Sequence, residues 1–106
     1  MLERPRNTKY NKSQGNLLSH TECSFKKPRF GKYALYALEA CYVKPSHIET
    51  CRRILRRCIK KKGQIWIRLF PDYPLSFKPA ETRMGKGKGF VKEWVCKVCK
   101  AATVEV

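Results

Sequence analysis

The chain is short of acid. Among 106 residues it has 8 Asp and Glu against 24 Lys and Arg, and Asp72 is its single aspartate. Histidine is nearly as scarce, with His20 and His47 alone. Acid–base and nucleophilic catalysis need a base held at hydrogen-bond range from a nucleophile or a second acid. Neither histidine has an evident carboxylate or nucleophile partner, and Asp72 sits in the stretch Pro71-Asp72-Tyr73-Pro74. No catalytic residue can be nominated, and no enzymatic activity is expected. Long apolar runs are missing too. No segment is apolar for the roughly 18 residues that a membrane span requires. The opening Met1-Leu2-Glu3-Arg4-Pro5-Arg6 lacks the apolar run of a secretory signal and the long Ser/Arg-rich leader of an imported precursor. The protein is expected to act where it is made, or after loss of a leader.

What is present is positive charge. The net charge of +16 exceeds what solubility needs, so a polyanion is the expected partner. Nucleic acid ranks first and an anionic membrane surface second. An apolar content of 42% with 11% aromatics argues for a folded domain, and the length suits one such domain with a small core. Six cysteines, Cys23, Cys41, Cys51, Cys58, Cys96 and Cys99, stand in a chain without a secretory signal, so disulfides are not expected. Cys96-Lys-Val-Cys99 has zinc-knuckle spacing, but no second such pair follows and no turn glycine stands beside it. The cysteines are expected to be small buried hydrophobes, with Cys51 and Cys58 packed on a sheet. No metal and no cofactor are expected.

The chain divides at about residue 32. Residues 1–32 read as an extended basic arm carrying Arg4, Arg6, Lys9, Tyr10, Lys12, Lys26, Lys27 and Arg29. Such an arm orders on RNA, its aromatics stacking and its cations meeting phosphate. Residues 33–106 read as an α+β domain. Residues 33–43, YALYALEACYV, suit a strand. Ser46-His47-Ile48-Glu49 is a capping-box pattern, predicting a helix over 46–62 that stops at Gly63. At 100° per residue Ile48, Cys51, Ile54, Leu55, Cys58 and Ile59 share one arc. Arg52, Arg53, Arg56, Arg57, Lys60 and Lys61 share the opposite one, a stripe suited to phosphates. Residues 64–70 alternate as a strand, 71–74 read as a turn, and 92–99 and 103–106 read as two further strands.

Between them lies KPAETRMGKGKGF, residues 78–90. It is no phosphate loop of the nucleotide-binding kind, because no Ser or Thr follows Lys86 or Lys88 and no helix follows the loop. It reads as a basic glycine-rich finger in which Lys78, Arg83, Lys86 and Lys88 supply phosphate contacts.

KPAETRMGKGKG resembles the signature loop of the bacterial-type large-subunit ribosomal protein L-sixteen family. GQIWIRLFPDYP resembles that family's strand and turn, SHIETCRRILRR its first helix, FGKYALYALEA the strand before it and, more loosely, RNTKYNKSQGN its basic arm. The resemblance covers nearly the whole chain. It implies a two-layer antiparallel sheet with a helix, hammerhead-like, that binds large-subunit rRNA among neighbouring ribosomal proteins, as one copy within the ribosome and away from membranes. It also implies that Arg83, Met84, Gly85, Lys86, Gly87, Lys88 and Gly89 point toward bound tRNA. Three departures stand out. The chain stops at Val106, where the family continues through another helix and a last strand. The cysteines are unusual for the family, and Lys92-Glu93-Trp94 stands where Glu-Tyr-Trp is common. These imply a divergent, shortened member in an organellar ribosome. The wording of YALYALEA and AETRMG resembles plastid members more than mitochondrial ones, which puts a plastid first, a mitochondrion second and a bacterium third. The rival readings are a zinc-stabilised nucleic-acid-binding module using Cys96 and Cys99 with Cys51 or Cys58, and a secreted, disulfide-bonded cationic peptide.

Overall fold

Alternating apolar residues near the C-terminus build the centre of the molecule. In the computed structural model, which describes residues 3–15, 28–98 and 103–106, six short strands and one helix are ordered as β1 Ala34–Tyr36, β2 Cys41–Val43, α1 Pro45–Ile59, β3 Trp66–Ile67, β4 Tyr73–Phe77, β5 Phe90–Val98 and β6 Thr103–Glu105. They form two three-stranded sheets, β1-β6-β3 and β2-β5-β4, with every pairing antiparallel. The α+β class and the antiparallel sheets agree with the sequence reading. The arm continues beyond the described residues at 16–27, so its full course lies outside them.

The core is small. Ile48 of α1 meets Cys96 and Val98 of β5, and Ala37, Val43, Ile67 and Leu69 close around them. Burying an aliphatic side chain of this size is worth about 1.5–3 kcal/mol, so α1 is held mainly through Ile48, its one buried residue. Leu55 and Ile59 are half-buried, but Cys51, Ile54 and Cys58 of the same arc are exposed. This corrects the cysteine expectation. Cys96 is buried, whereas Cys41, Cys51 and Cys58 reach solvent, and Cys23 and Cys99 lie outside the described residues. The helix meets β5 along a line narrower than its apolar arc.

Both helix ends differ from the prediction. Pro45 takes the first helical position, which suits its fixed φ and absent N–H. Lys44 becomes the N-cap without a side-chain capping bond, and its carbonyl accepts the N–H groups of His47 at 3.0 Å and Ile48 at 3.3 Å. Ser46 is thereby drawn into the helix, the capping box is not made, and Glu49 is left to other partners. The helix stops at Ile59 because Lys60 adopts φ +57° and returns its N–H to the Arg56 carbonyl at 3.1 Å. Gly63 serves a different purpose, since a Cβ there would lie 2.8 Å from the Ile59 side chain.

Residues 33–43 are two strands in place of one. The chain leaves the first sheet after Tyr36 and joins the second at Cys41. The 64–70 strand contracts to Trp66–Ile67. The 71–74 turn is half strand, since β4 begins at Tyr73 and holds Pro74 opposite Trp94. Proline is tolerated there because β4 is an edge strand, where a missing N–H leaves no ladder bond broken.

With β4 in place, the basic finger is the tip of a long hairpin. Phe77 pairs with Phe90 at its base. Gly89 lies so close to β4 that a Cβ would sit 2.2 Å from the Phe77 carbonyl oxygen. Gly89→Ala should lower the urea midpoint by the equivalent of about 1–3 kcal/mol. An unchanged midpoint would show that the hairpin base gives way freely.

Candidate nucleic-acid interface

Each cationic element is positioned by a local rule. Along the finger, residues 79–88 are all exposed, and Met84 has no burial at all. Gly85, Lys86 and Gly87 take φ values of +101°, +53° and +84° in succession, a path that glycine permits and most side chains resist. Lys78 closes the loop across its base, its ammonium donating to the Gly85 carbonyl at 2.5 Å. Arg83 and Lys86 make no hydrogen bond or ion pair with the described residues and project into solvent.

The arm is fastened to this finger. Lys12 Nζ donates to the Lys88 carbonyl at 2.9 Å, Lys88 Nζ donates back to the Ser13 carbonyl, and the Tyr73 hydroxyl reaches the Gly15 carbonyl at 3.3 Å. At its other end Glu3 borders a hollow with Ser46, Glu49 and Arg53 at the start of α1. Residues 3–15 therefore run beside β5 from the helix N-terminus to the finger. Arg4, Arg6, Lys9, Tyr10 and Lys12 are all exposed along that path, with Lys9 5.6 Å over the Tyr10 ring. Lys26 and Lys27 lie outside the described residues.

On α1, Arg53, Arg56, Arg57, Lys60 and Lys61 are exposed, as the periodicity predicted, whereas Arg52 is half-buried. The stripe is not uniformly free. Arg52 grips Glu49 with Nη2 at 2.7 Å and Nε at 2.9 Å, and Arg53 adds a bond at 3.2 Å. Those bonds, Arg52's first, hold the Glu49 carboxyl down to about 2 from an ordinary value of 4.5, and raise the Arg52 guanidinium in turn. A lowered acid pKa means that the pairing is complete above about pH 4.5 and is lost as pH falls toward 2. At neutral pH Glu49 therefore offsets charge on two arginines, while Arg56 and Arg57 have no ion pair among the described residues. Glu49→Gln should tighten RNA binding and steepen its salt dependence by about one unit. A slope that stays put would remove this end of the helix from the contact surface.

Sequence reasoning missed a second acid. Glu105, fully buried in β6, accepts the backbone N–H of Phe30 at 2.7 Å and of Arg29 at 3.1 Å on Oε2, and Arg68 Nη1 at 3.0 Å on Oε1. The Phe30 bond, with help from Arg68 and Arg29, holds its carboxyl below the usual range against the opposing effect of burial. Its contribution to stability is present at neutral pH and lost in acid. Arg29, placed on the interface by sequence, is thus pinned through its backbone while its side chain stays exposed beside Phe30. Nothing in the pattern of residues 103–106 marks Glu105 as buried, because a strand alternation allows either face inward.

Sequence reasoning also passed over the aromatic ground beneath the finger. Phe77 and Phe90 are both exposed and pack edge to face at 6.3 Å, with Lys92 Nζ 4.7 Å over the Phe77 ring. Their signal was a phenylalanine at each end of the finger, at 77 and 90.

Among the described residues, no three of His, Cys, Asp and Glu gather as a metal site. Cys96 is buried while Cys51 and Cys58 face solvent, so the zinc reading gains no support. No helix of the described residues is long and apolar enough to cross a membrane.

These features define a small, strongly basic α+β domain that presents its cations on an arm, a helix face and a hairpin tip. The chain belongs to the family described as ribosomal protein L16p/L10e, whose model matches residues 5–104. It is 44% identical over 94 residues to the large ribosomal subunit protein uL16c of Tetradesmus obliquus, covering 89% of this chain and 68% of the relative. It is 43% identical over 98 residues to uL16m of Prototheca wickerhamii, covering 92% and 73%. Against uL16 of Borrelia duttonii (strain Ly) it is 48% identical over 90 residues, covering 85% and 65%. Likeness is therefore shared among the three kinds of relative, and the chain spans about two thirds of the length of two of them and somewhat more of the third.

Proposed function

We propose that this protein is a structural, non-enzymatic component of the large ribosomal subunit. It binds large-subunit rRNA through the arm, with Arg4, Arg6, Lys9, Tyr10, Lys12 and Arg29, and through the α1 stripe from Arg52 to Lys61. It points the finger from Arg83 to Gly89 toward bound tRNA. One observation carries the reading: the arm lies beside β5 and is tied to the finger by Lys12 and Lys88, so cations from distant parts of the chain join in one surface. Such a surface suits a folded polyanion better than a flat one. Lys78 and Lys88 have a shared duty, since each also donates to a backbone carbonyl that shapes the finger. Its partners are rRNA, tRNA and neighbouring ribosomal proteins, and one copy serves each subunit. The compartment is an organelle, a plastid before a mitochondrion.

The test is sedimentation of tagged protein from organelle lysates in high salt. Co-migration with large subunits is expected, in the plastid fraction. Protein that stays at the top of the gradient would refute the ribosomal reading, and co-migration with mitochondrial subunits alone would refute the compartment.

A further inference from the structure

Between residues 4–12 and the first half of β5 lies an open cleft of about 570 Å³, within the size range of small-ligand sites. Arg4, Arg6 and Lys12 line its arm side, and Phe90, Lys92 and Trp94 line its strand side. Val91 lines it as well, and a bulge in β5 opposite Leu75 and Ser76 interrupts the strand's alternation there. Among the described residues, no acid lines the cleft. That is not the rule on this surface. The adjoining hollow contains Glu3 and Glu93, and there Lys44 is paired with Glu93 at 3.0 Å.

Charge and ring geometry together select an occupant. Phe90 keeps 56% of its surface exposed although it belongs to the longest strand. Its ring stands nearly perpendicular to that of Phe77, at 81°, and lines the same cleft as Arg4 and Arg6. An exposed ring on a rigid strand, with guanidinium groups beside it, is the arrangement that stacks an unpaired base and holds its phosphates. A duplex keeps its bases stacked inside and cannot use such a ring.

We propose that this cleft holds an unstacked nucleotide of single-stranded RNA, with its base on Phe90 and its phosphates against Arg4 and Arg6. The proposal rests on the RNA-binding reading above and names the form of RNA taken at this place.

The full chain should be titrated with a labelled ten-residue oligouridine and with a blunt RNA duplex. Phe90→Ala should weaken oligouridine binding roughly tenfold, a typical loss for one stacked base, while duplex affinity stays within about twofold. Phe90→Leu keeps the strand apolar but removes the ring, and carries the same expectation if the alanine variant misfolds. Arg4→Gln with Arg6→Gln should flatten the oligouridine salt slope by about 1.4 units. Equal losses on both RNAs, or no loss on either, would overturn the proposal. Duplex binding without oligouridine binding would overturn it alone, whereas a protein that binds neither RNA would take the RNA-binding reading down as well.

Discussion

Large subunits carrying Arg83→Ala should make peptide roughly tenfold more slowly than normal subunits, while containing a near-stoichiometric amount of the protein. Arg83 stands on an exposed loop and makes no bond with the described residues, so folding does not depend on its side chain. On the proposed reading, the arm and helix supply ample positive charge to anchor the protein without it. What the change removes is a planar fork able to grip a phosphate or stack on a base. A lost charge-assisted contact is worth about 1.5–3 kcal/mol, which sets the scale at tenfold or more. Lys86→Ala with Lys88→Ala should also leave assembled subunits, although Lys88 fastens the arm and the double change should loosen residues 12–15. The measurement is purified subunits, quantified for the protein by mass spectrometry and assayed for tRNA-dependent peptide synthesis. Loss of incorporation in step with activity would make the finger an assembly anchor. If neither changed, the finger would be only a connection between strands.

Arg56→Gln with Arg57→Gln should flatten the salt dependence of RNA binding by about 1.4–1.8 units, at roughly 0.7–0.9 per phosphate contact. Extending the change to Arg52 and Arg53 should add less than the same again. Glu49 already offsets those two guanidinium groups, and removing them strands its carboxylate among fewer cations. The comparison therefore distinguishes free charge from paired charge on a single helix face. Equal effects of the two pairs would mean that Glu49 leaves the arginines when RNA arrives. A slope untouched by all four would mean that the stripe merely faces solvent.

How much of this was legible in the sequence depended on whether the deciding contact was local. The face of α1 was readable because helical period alone places Ile48 opposite the arginines. Its ends were not, because Pro45 competes with Ser46 for the start and a three-lysine run offered no sign that Lys60 would turn left-handed. The finger was readable because glycines and cations leave a loop little choice. β4 was hidden by Pro74, whose acceptability depends on the edge position that only pairing with β5 creates. The break between β1 and β2 was hidden for a similar reason, since the two halves answer to partners in different sheets. Cysteine is equally at home in a core or on a thin helix flank, so the exposed Cys51 and Cys58 could not be told from the buried Cys96.

The place of β6 sets an order of events in time. β4 and β5 are neighbours in sequence, so their hairpin closes across only the finger. β6 is the middle strand of the other sheet, and without it β1 and β3 have nothing to join them. Its Glu105 must also find the Phe30 amide, 75 positions earlier in the chain. Closing so long a loop costs entropy before any contact is gained, and such pairings form slowly. Pulsed hydrogen exchange during refolding should protect Val95 of β5 before Val104 of β6, and simultaneous protection would mean that both sheets arise in one step. Until β6 docks, β1 and β3 are two short ribbons with unmatched edges, and the half of the protein that holds the root of the arm has no sheet to rest on.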